Sequence, residues 1–405
     1  MGMNAVVTPK GCLRWCSMLG FLMPMSTLVY AEQWYLEPQA SLEVRYDDNV
    51  RLSVVDPISS SSGIATAEVE AGRRSEVSEI GLRGEVVARS YAEASDLDQT
   101  DAALGFTSAY QWGLSRLGLD ASFDYDSTLT SEVATSGLVQ VNKRRERVSV
   151  RPSWSYKMTS RLDARAGLSY QEVSYEDVEL IPLFNYSFTT ADLTLIYAWS
   201  ERATTFGRAS YAKYDADQVD TASNSLGVEI GADYLLSESM SLSTLAGLRN
   251  TNAETPTLFG IEETENSGPL FQLELKKSFD RGLLRLGADR SLVPSSSGTL
   301  LDTTALEASI DYELAPRWSF LFSARGYRNR APDGESSGYD RDYLSLIPRL
   351  RHKLTEALSV DLSYRYRWQK YDDREKGAAS NAVYLSLRYS MPRDPLSRWS
   401  SLKSQ

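Results

Sequence analysis

The chain is poor in the residues on which much enzymatic and metal chemistry depends. Of its 405 residues only two are cysteine, Cys12 and Cys16, and both lie in an N-terminal apolar stretch. The rest of the chain therefore has no disulfide, no thiolate zinc site and no cysteine nucleophile. There is one histidine, His352. A Ser-His-Asp hydrolase needs its histidine beside a nucleophile and an acid, and the sequence around His352 supplies neither. Phosphate-loop and dinucleotide-fold glycine patterns are missing as well. Basic charge is scarce: 43 basic residues, two of them (Lys10 and Arg14) in the apolar leader region, face 54 acidic ones. A phosphate-binding surface would be basic, so nucleic acid is disfavoured as a partner. After residue 31 no apolar run approaches the ~20 residues a spanning helix needs. The mean hydropathy is negative, but that test is blind to membrane strands, half of whose residues face a polar lumen.

What is present begins with a leader. Lys10 and Arg14 precede or open an apolar stretch, Trp15 to Tyr30, and Val29-Tyr30-Ala31 fits the small-x-small cleavage pattern. Residues 1–31 thus read as a secretory signal peptide, cleaved before Glu32. The remainder repeats one unit, a segment of about ten residues alternating apolar and polar, followed by a turn. LGLDASFDYD (117–126), VSVRPSWSYKM (148–158) and LSVDLSYRYRW (358–368) are three copies. Successive side chains of a strand point to opposite faces, so each copy is a strand with one oily and one wet side. Segmenting at turn residues gives about eighteen strands, with sixteen as the lower bound, over residues 32–390. A polar tail, 391–405, follows.

The connections alternate in length. Those after even-numbered strands are tight, as at Gly113-Leu114-Ser115-Arg116 and Ala315-Pro316-Arg317. Those after odd-numbered strands are mostly longer and polar: 48–63, 127–146, 174–187, 251–268, 291–303, 329–342 and 369–381. A soluble sandwich or propeller has no reason to alternate in this way. An outer-membrane barrel does, with short periplasmic turns and longer external loops. The expected fold is a single all-β, antiparallel, up-and-down transmembrane barrel in the outer membrane of a Gram-negative bacterium. Its surroundings would be outer-membrane lipid and lipopolysaccharide, reached through the barrel-assembly machinery.

Parity then assigns the two faces. Leu117, Leu119, Ala121, Phe123 and Tyr125 would meet lipid, as would Leu358, Val360, Leu362 and Tyr364. Aromatics fall at both strand ends, where amphipathic rings suit headgroup depth. Trp112, Tyr156, Trp199, Tyr234 and Trp318 lie by the short turns, and Tyr343, Tyr366 and Trp368 by the long loops. Packing in a soluble core is the plainer alternative for these rings. Serine runs at 59–62 and 295–297 suggest flexible polar loop tips.

The opening stretch QASLEVRYDDNVRLS (39–53), with Tyr46-Asp47-Asp48-Asn49-Val50 at the end of the first strand, resembles the start of the beta-barrel porin-2 family. The amphipathic strands that follow extend the likeness to nearly all of 33–390. The resemblance implies a proteobacterial outer-membrane barrel, in a class with members tied to exopolysaccharide synthesis and export machinery. One departure concerns the end. Such barrels usually close on an aromatic in the last strand; here Val383, Leu385, Leu387 and Tyr389 end a lipid face, and the polar tail then follows.

Inside, parity collects Arg151, Arg165, Arg208, Arg249, Arg285, Arg325, Arg349, Arg351, Arg365 and Arg367 with Asp120, Asp124, Glu229, Asp233 and Asp361. Arginine gathers toward the last strands and aspartate on the fifth. Two readings stay open: opposed walls that set a transverse field on passing solutes, or cross-strand ion pairs that stiffen the wall or hold a plug. Carboxylates two apart on one strand face stand ~7 Å apart in a row and make no calcium cage by themselves. No metal, cofactor or catalytic residue is expected. The function expected is a channel for polar solutes linked to exopolysaccharide export, and the alternative is a closed barrel whose loops bind a partner or surface polymer.

Overall fold

The computed structural model describes residues 33–132, 142–178, 181–257, 260–331 and 340–391. The expected leader, and the tail beyond Met391, lie outside them. Eighteen strands follow one another: β1 (Gln33–Asp47), β2 (Ser60–Arg74), β3 (Ser78–Tyr91), β4 (Gln99–Trp112), β5 (Ser115–Ser127), β6 (Arg144–Lys157), β7 (Leu162–Tyr175), β8 (Tyr186–Ala198) and β9 (Ala203–Ala216) form the first half. β10 (Thr221–Ser237), β11 (Met240–Thr257), β12 (Gly260–Phe279), β13 (Gly282–Pro294), β14 (Leu300–Ala315), β15 (Trp318–Arg330), β16 (Arg341–Lys353), β17 (Leu358–Tyr371) and β18 (Ala378–Ser390) complete it. Every strand pairs antiparallel with its sequence neighbours. β1 also pairs with β18, from Gln39↔Ser390 to Asp47↔Ala382, which closes the sheet on itself. Closure leaves no open edge, and that is the condition for crossing a bilayer with strands.

The alternation in the sequence is what the wall displays. On β10, Leu226, Val228 and Ile230 are more than half exposed on the outside, while Gly227 and Glu229 between them are buried. The same parity puts Leu362 of β17 outward and Asp361 and Ser363 inward. An apolar outer face of this extent would be a liability in water and is what lipid requires. The barrel belongs in the outer membrane. Connections at one end have two to four residues, as at 113–114, 158–161 and 316–317, and this end faces the periplasm.

Three expectations need correction. The segment 251–268 is not a long loop: β11 and β12 run on as a hairpin, paired up to Thr257↔Gly260. Neither serine run is a flexible tip, since Ser60 and Ser62 are buried on β2 and Ser295, Ser296 and Ser297 are buried inside the barrel. Tyr343 is not a girdle residue either. It faces inward and stacks on Tyr327, with ring centroids 4.9 Å apart. All three lie at the external end, where loops fold into the lumen and the simple division into lipid and water no longer holds.

Candidate functional site

The lumen is organised in two zones. At the external end, loops fold inward and pack on one another. The β1–β2 loop (48–59) reaches both sides of the mouth. Its Val50 and Ile58 pack with Tyr91, Ala94, Leu97 and Leu129. Its Leu52 packs with Ala305, Tyr327, Tyr343 and Ala378, on the strands from β14 to β18 on the other side of β1. Leu52 holds a left-handed backbone, φ 51°, which a branched side chain adopts only when its surroundings impose it.

Asp47 is what holds this loop. It accepts hydrogen bonds from Arg365 at 2.9 Å, Arg367 at 3.1 Å and the Ser380 hydroxyl at 2.7 Å. The same carboxylate caps the Asn49 backbone N–H at 3.0 Å. Asn49 in turn donates to the Ser53 and Ala379 carbonyls, and Gln369 donates to the Leu52 carbonyl. Asp48 accepts from the backbone and side-chain amides of Asn381. The Asp-Asp-Asn segment that carried the family resemblance is therefore the clasp that pins the first loop to β17 and β18. Arg365 and Arg367, picked out above as lumen residues, are engaged by that clasp.

A second knot joins the β5–β6, β7–β8 and β13–β14 loops. Glu132 is buried, accepts from Tyr175 at 2.7 Å and Ser296 at 3.2 Å, and lies 3.6 Å from Arg145. Tyr214 donates to the Ser295 carbonyl, and the Phe184 backbone N–H donates to the Ser296 carbonyl. Gly298 turns the β13–β14 tip with a positive φ of 86°, where a Cβ would press on Val219 and Phe184. Around the knot, Val173, Leu183, Tyr186 and Leu300 form an apolar cluster inside the barrel.

Around and below the packed loops the walls are charged and unequal. On one side, Asp124 pairs with Arg147 at 2.8 Å and Asp126 with Arg145 at 2.7 Å, so two of the β5 carboxylates are compensated by β6. Asp120 lies opposite Arg151 in the β5–β6 register. Across the lumen, β16, β17, β18 and β1 turn Arg349, Arg351, Arg365, Arg388 and Arg45 to the same face. Their acidic companions there are fewer. Asp361 takes Arg351 in two 2.8 Å hydrogen bonds, Glu43 takes Arg45 at 3.1 Å, and Asp47 is shared. Arg349 and Arg388 have no ion-pair partner among the described residues.

The other expected lumen residues sit on the inner face in varied company. Arg208 pairs with Glu229, Arg325 with Glu307 at 3.2 Å, and Arg249 with Asp302 at 2.5 Å. Asp233 accepts from Ser243, Arg285 stands opposite Lys276, and Arg165 stands opposite Thr194 and Ser155. Outside, Trp112 is largely exposed, Tyr156 stacks with Trp154, Trp199 meets Tyr197 edge-on, and Trp318 lies on His352. Tyr234 is exposed beside a short turn, and Tyr366 and Trp368 keep outward register on β17. Arg45 and Arg388 went unnamed in the sequence reading, although the parity of Val383, Leu385 and Leu387 already turns Arg388 inward. Glu132 gave no signal, because a lone acid in a polar loop looks solvated until the fold buries it.

No family model matches the chain, and no curated protein matches it. Among solved structures, those it is similar to include the following, one of them, OpdK, an outer membrane protein. OccAB4 of Acinetobacter baumannii has a TM-score of 0.47 at 10% identity, over 88% of this chain and 98% of that one. OpdK of Pseudomonas aeruginosa has a TM-score of 0.46 at 11% identity, over 88% and 98%. OpdO of the same organism has a TM-score of 0.45 at 14% identity, over 88% and 97%.

Proposed function

We propose that the protein is an outer-membrane channel for polar solutes that favours anions. One observation carries this reading. The inner wall made by β16, β17, β18 and β1 presents more guanidinium groups than carboxylates, while on β5 Asp124 and Asp126 are already paired. A cationic strip in a water-filled, low-dielectric tube raises the local concentration of anions and lowers that of cations. Selectivity then comes from wall charge and width, with no bond made or broken.

The experiment is reversal-potential measurement in planar bilayers under a potassium chloride gradient. Arg349→Glu and Arg388→Glu together should shift the reversal potential toward cation preference. Unchanged selectivity in a conducting, folded variant overturns the anion reading. The link to an exopolysaccharide rests on the resemblance of residues 39–53 and belongs to the same proposal. An acidic polysaccharide added to one chamber should produce current blockades, and their absence removes the polymer from it. The packed loops at the mouth favour one other reading, a closed barrel that presents its surface to a partner. A wild-type protein that passes no current would establish that reading over the first.

A further inference from the structure

The wall is parted on one side. β12 runs Gly260–Phe279 and β13 runs Gly282–Pro294, yet they pair only from Phe279↔Gly282 up to Phe271↔Arg290. Beyond that point each strand remains a strand, but with its other neighbour. β12 stays on β11 up to Thr257↔Gly260, and β13 stays on β14 up to Pro294↔Leu300.

The sequence supplies causes. Pro269 has no N–H to offer a ladder. At Gly268, Arg249 lies so close that a Cβ would sit 3.0 Å from its guanidinium. From there Arg249 reaches Asp302 of β14, which Arg290 holds from its other side at 2.9 and 3.0 Å. The β13–β14 tip is drawn inward as a unit. Leu292 and Leu300, in the register that lower in the strands faces lipid, pack on the Tyr186 and Tyr214 cluster inside the barrel.

Behind the parting lies a cavity of about 340 Å³. Its lumen side carries Arg208, Glu229, Gln272 and Asp289, and it continues past Phe271, Arg290 and Leu292, three residues of outward register. The cavity is thus lined by residues of both registers, at the level where the β12–β13 ladder ends. Its sill, at Phe271, stands opposite Ala246 of β11, just below the point where the outer face of β11 changes from Leu248 to Asn250, a change that suits the outer edge of the hydrocarbon layer.

We propose that this parting is a lateral portal, and that its cavity takes an amphiphile from the outer leaflet. The polar head would bond to the Gln272, Asp289 and Arg208 group while its apolar part lies along Phe271, Leu270 and Leu292. The portal gives the lumen a side entrance at the point where the inward-folded loops occupy the axial one. Passage through it rests on the channel reading; the portal and its ligand site do not.

Residues 33–405 contain no cysteine, so introduced pairs report cleanly. Leu270→Cys with Ser291→Cys would face each other if the β12–β13 ladder continued in register. Ser225→Cys with Thr251→Cys spans the closed β10–β11 ladder, where the native hydroxyls touch. A disulfide needs its Cα atoms within about 7 Å. The β10–β11 pair should therefore oxidise several-fold faster than the β12–β13 pair, and equal rates overturn the portal. Bridging the two thiols of the Leu270→Cys, Ser291→Cys variant with a bifunctional maleimide should remove most of the current, and an unchanged current overturns lateral passage. Octyl glucoside is the ligand probe: it should slow maleimide labelling of the single variant Ser291→Cys several-fold. Labelling at an unchanged rate overturns the amphiphile site. If the wild type passes no current the channel reading and lateral passage fail together, while the oxidation and protection measurements still decide the portal and its site.

Discussion

At the scale of the residue, Asp47 shows how one side chain can decide what a set of arginines does. Arg365 and Arg367 look from the sequence like pore lining, and they do face inward. Their charge, however, is engaged by a carboxylate that is almost wholly buried. Removing one partner of a buried charge set leaves the others desolvated and uncompensated, at a cost of about 3–5 kcal/mol. Asp47→Asn should therefore lower the urea midpoint of the detergent-solubilised barrel. It should also loosen the first loop, which carries Arg51, a trypsin site. Wild-type protein on intact cells should resist cleavage after Arg51, and the variant should be cut. Equal resistance of the two would mean that Leu52 and its apolar contacts hold the loop without the clasp.

At the scale of the element, parity is the strand's strongest constraint, and it can be tested on adjacent residues. Leu119 of β5 faces lipid and Asp120 faces the lumen. Leu119→Arg puts a cation in the hydrocarbon layer, at about 2–4 kcal/mol near the midplane. Asp120→Arg stays in water on the lumen side and costs only the repulsion from Arg151 opposite, about 0.2–1 kcal/mol, so it should fold in lipid vesicles much closer to wild type. If the two variants fold equally well, the facing of β5 is wrong. This parity is why the eighteen strands and their order were legible in the sequence. Within the membrane one face must be apolar, and the alternation is read directly. Above the membrane the rule lapses. Asn250 to Glu254 and Glu262 to Ser267 carry polar residues on both faces because water lies on both sides, so a hairpin reads as a loop in the sequence. Tyr343 and the serines at 295–297 failed for the opposite reason: loops packed into the lumen make an inner face partly apolar there, and a strand-by-strand reading has no sight of loops arriving from across the barrel. The clasp was visible as a motif, but its partners lie more than 300 residues away in sequence, and only barrel closure brings them together.

At the scale of the whole molecule, the question is how far an uneven distribution of charge acts. The chain is acidic overall, with a net charge of −11, yet the proposed selectivity is for anions. Both hold if selection depends on the charges nearest the solute path. Exposed charges are screened over about 10 Å at 0.1 M salt and about 3 Å at 1 M. The Arg349, Arg388 and Arg45 strip should thus dominate at low salt, when its field spans the water around a passing ion, and fade at high salt. The anion-to-cation permeability ratio should fall steadily from 0.1 M to 1 M potassium chloride. In the Arg349→Glu, Arg388→Glu variant that slope should flatten or reverse, because fixed cations no longer outnumber fixed anions on that wall. A wild-type ratio independent of salt would assign selectivity to a narrow constriction among the packed loops, where desolvation rather than long-range field decides what passes.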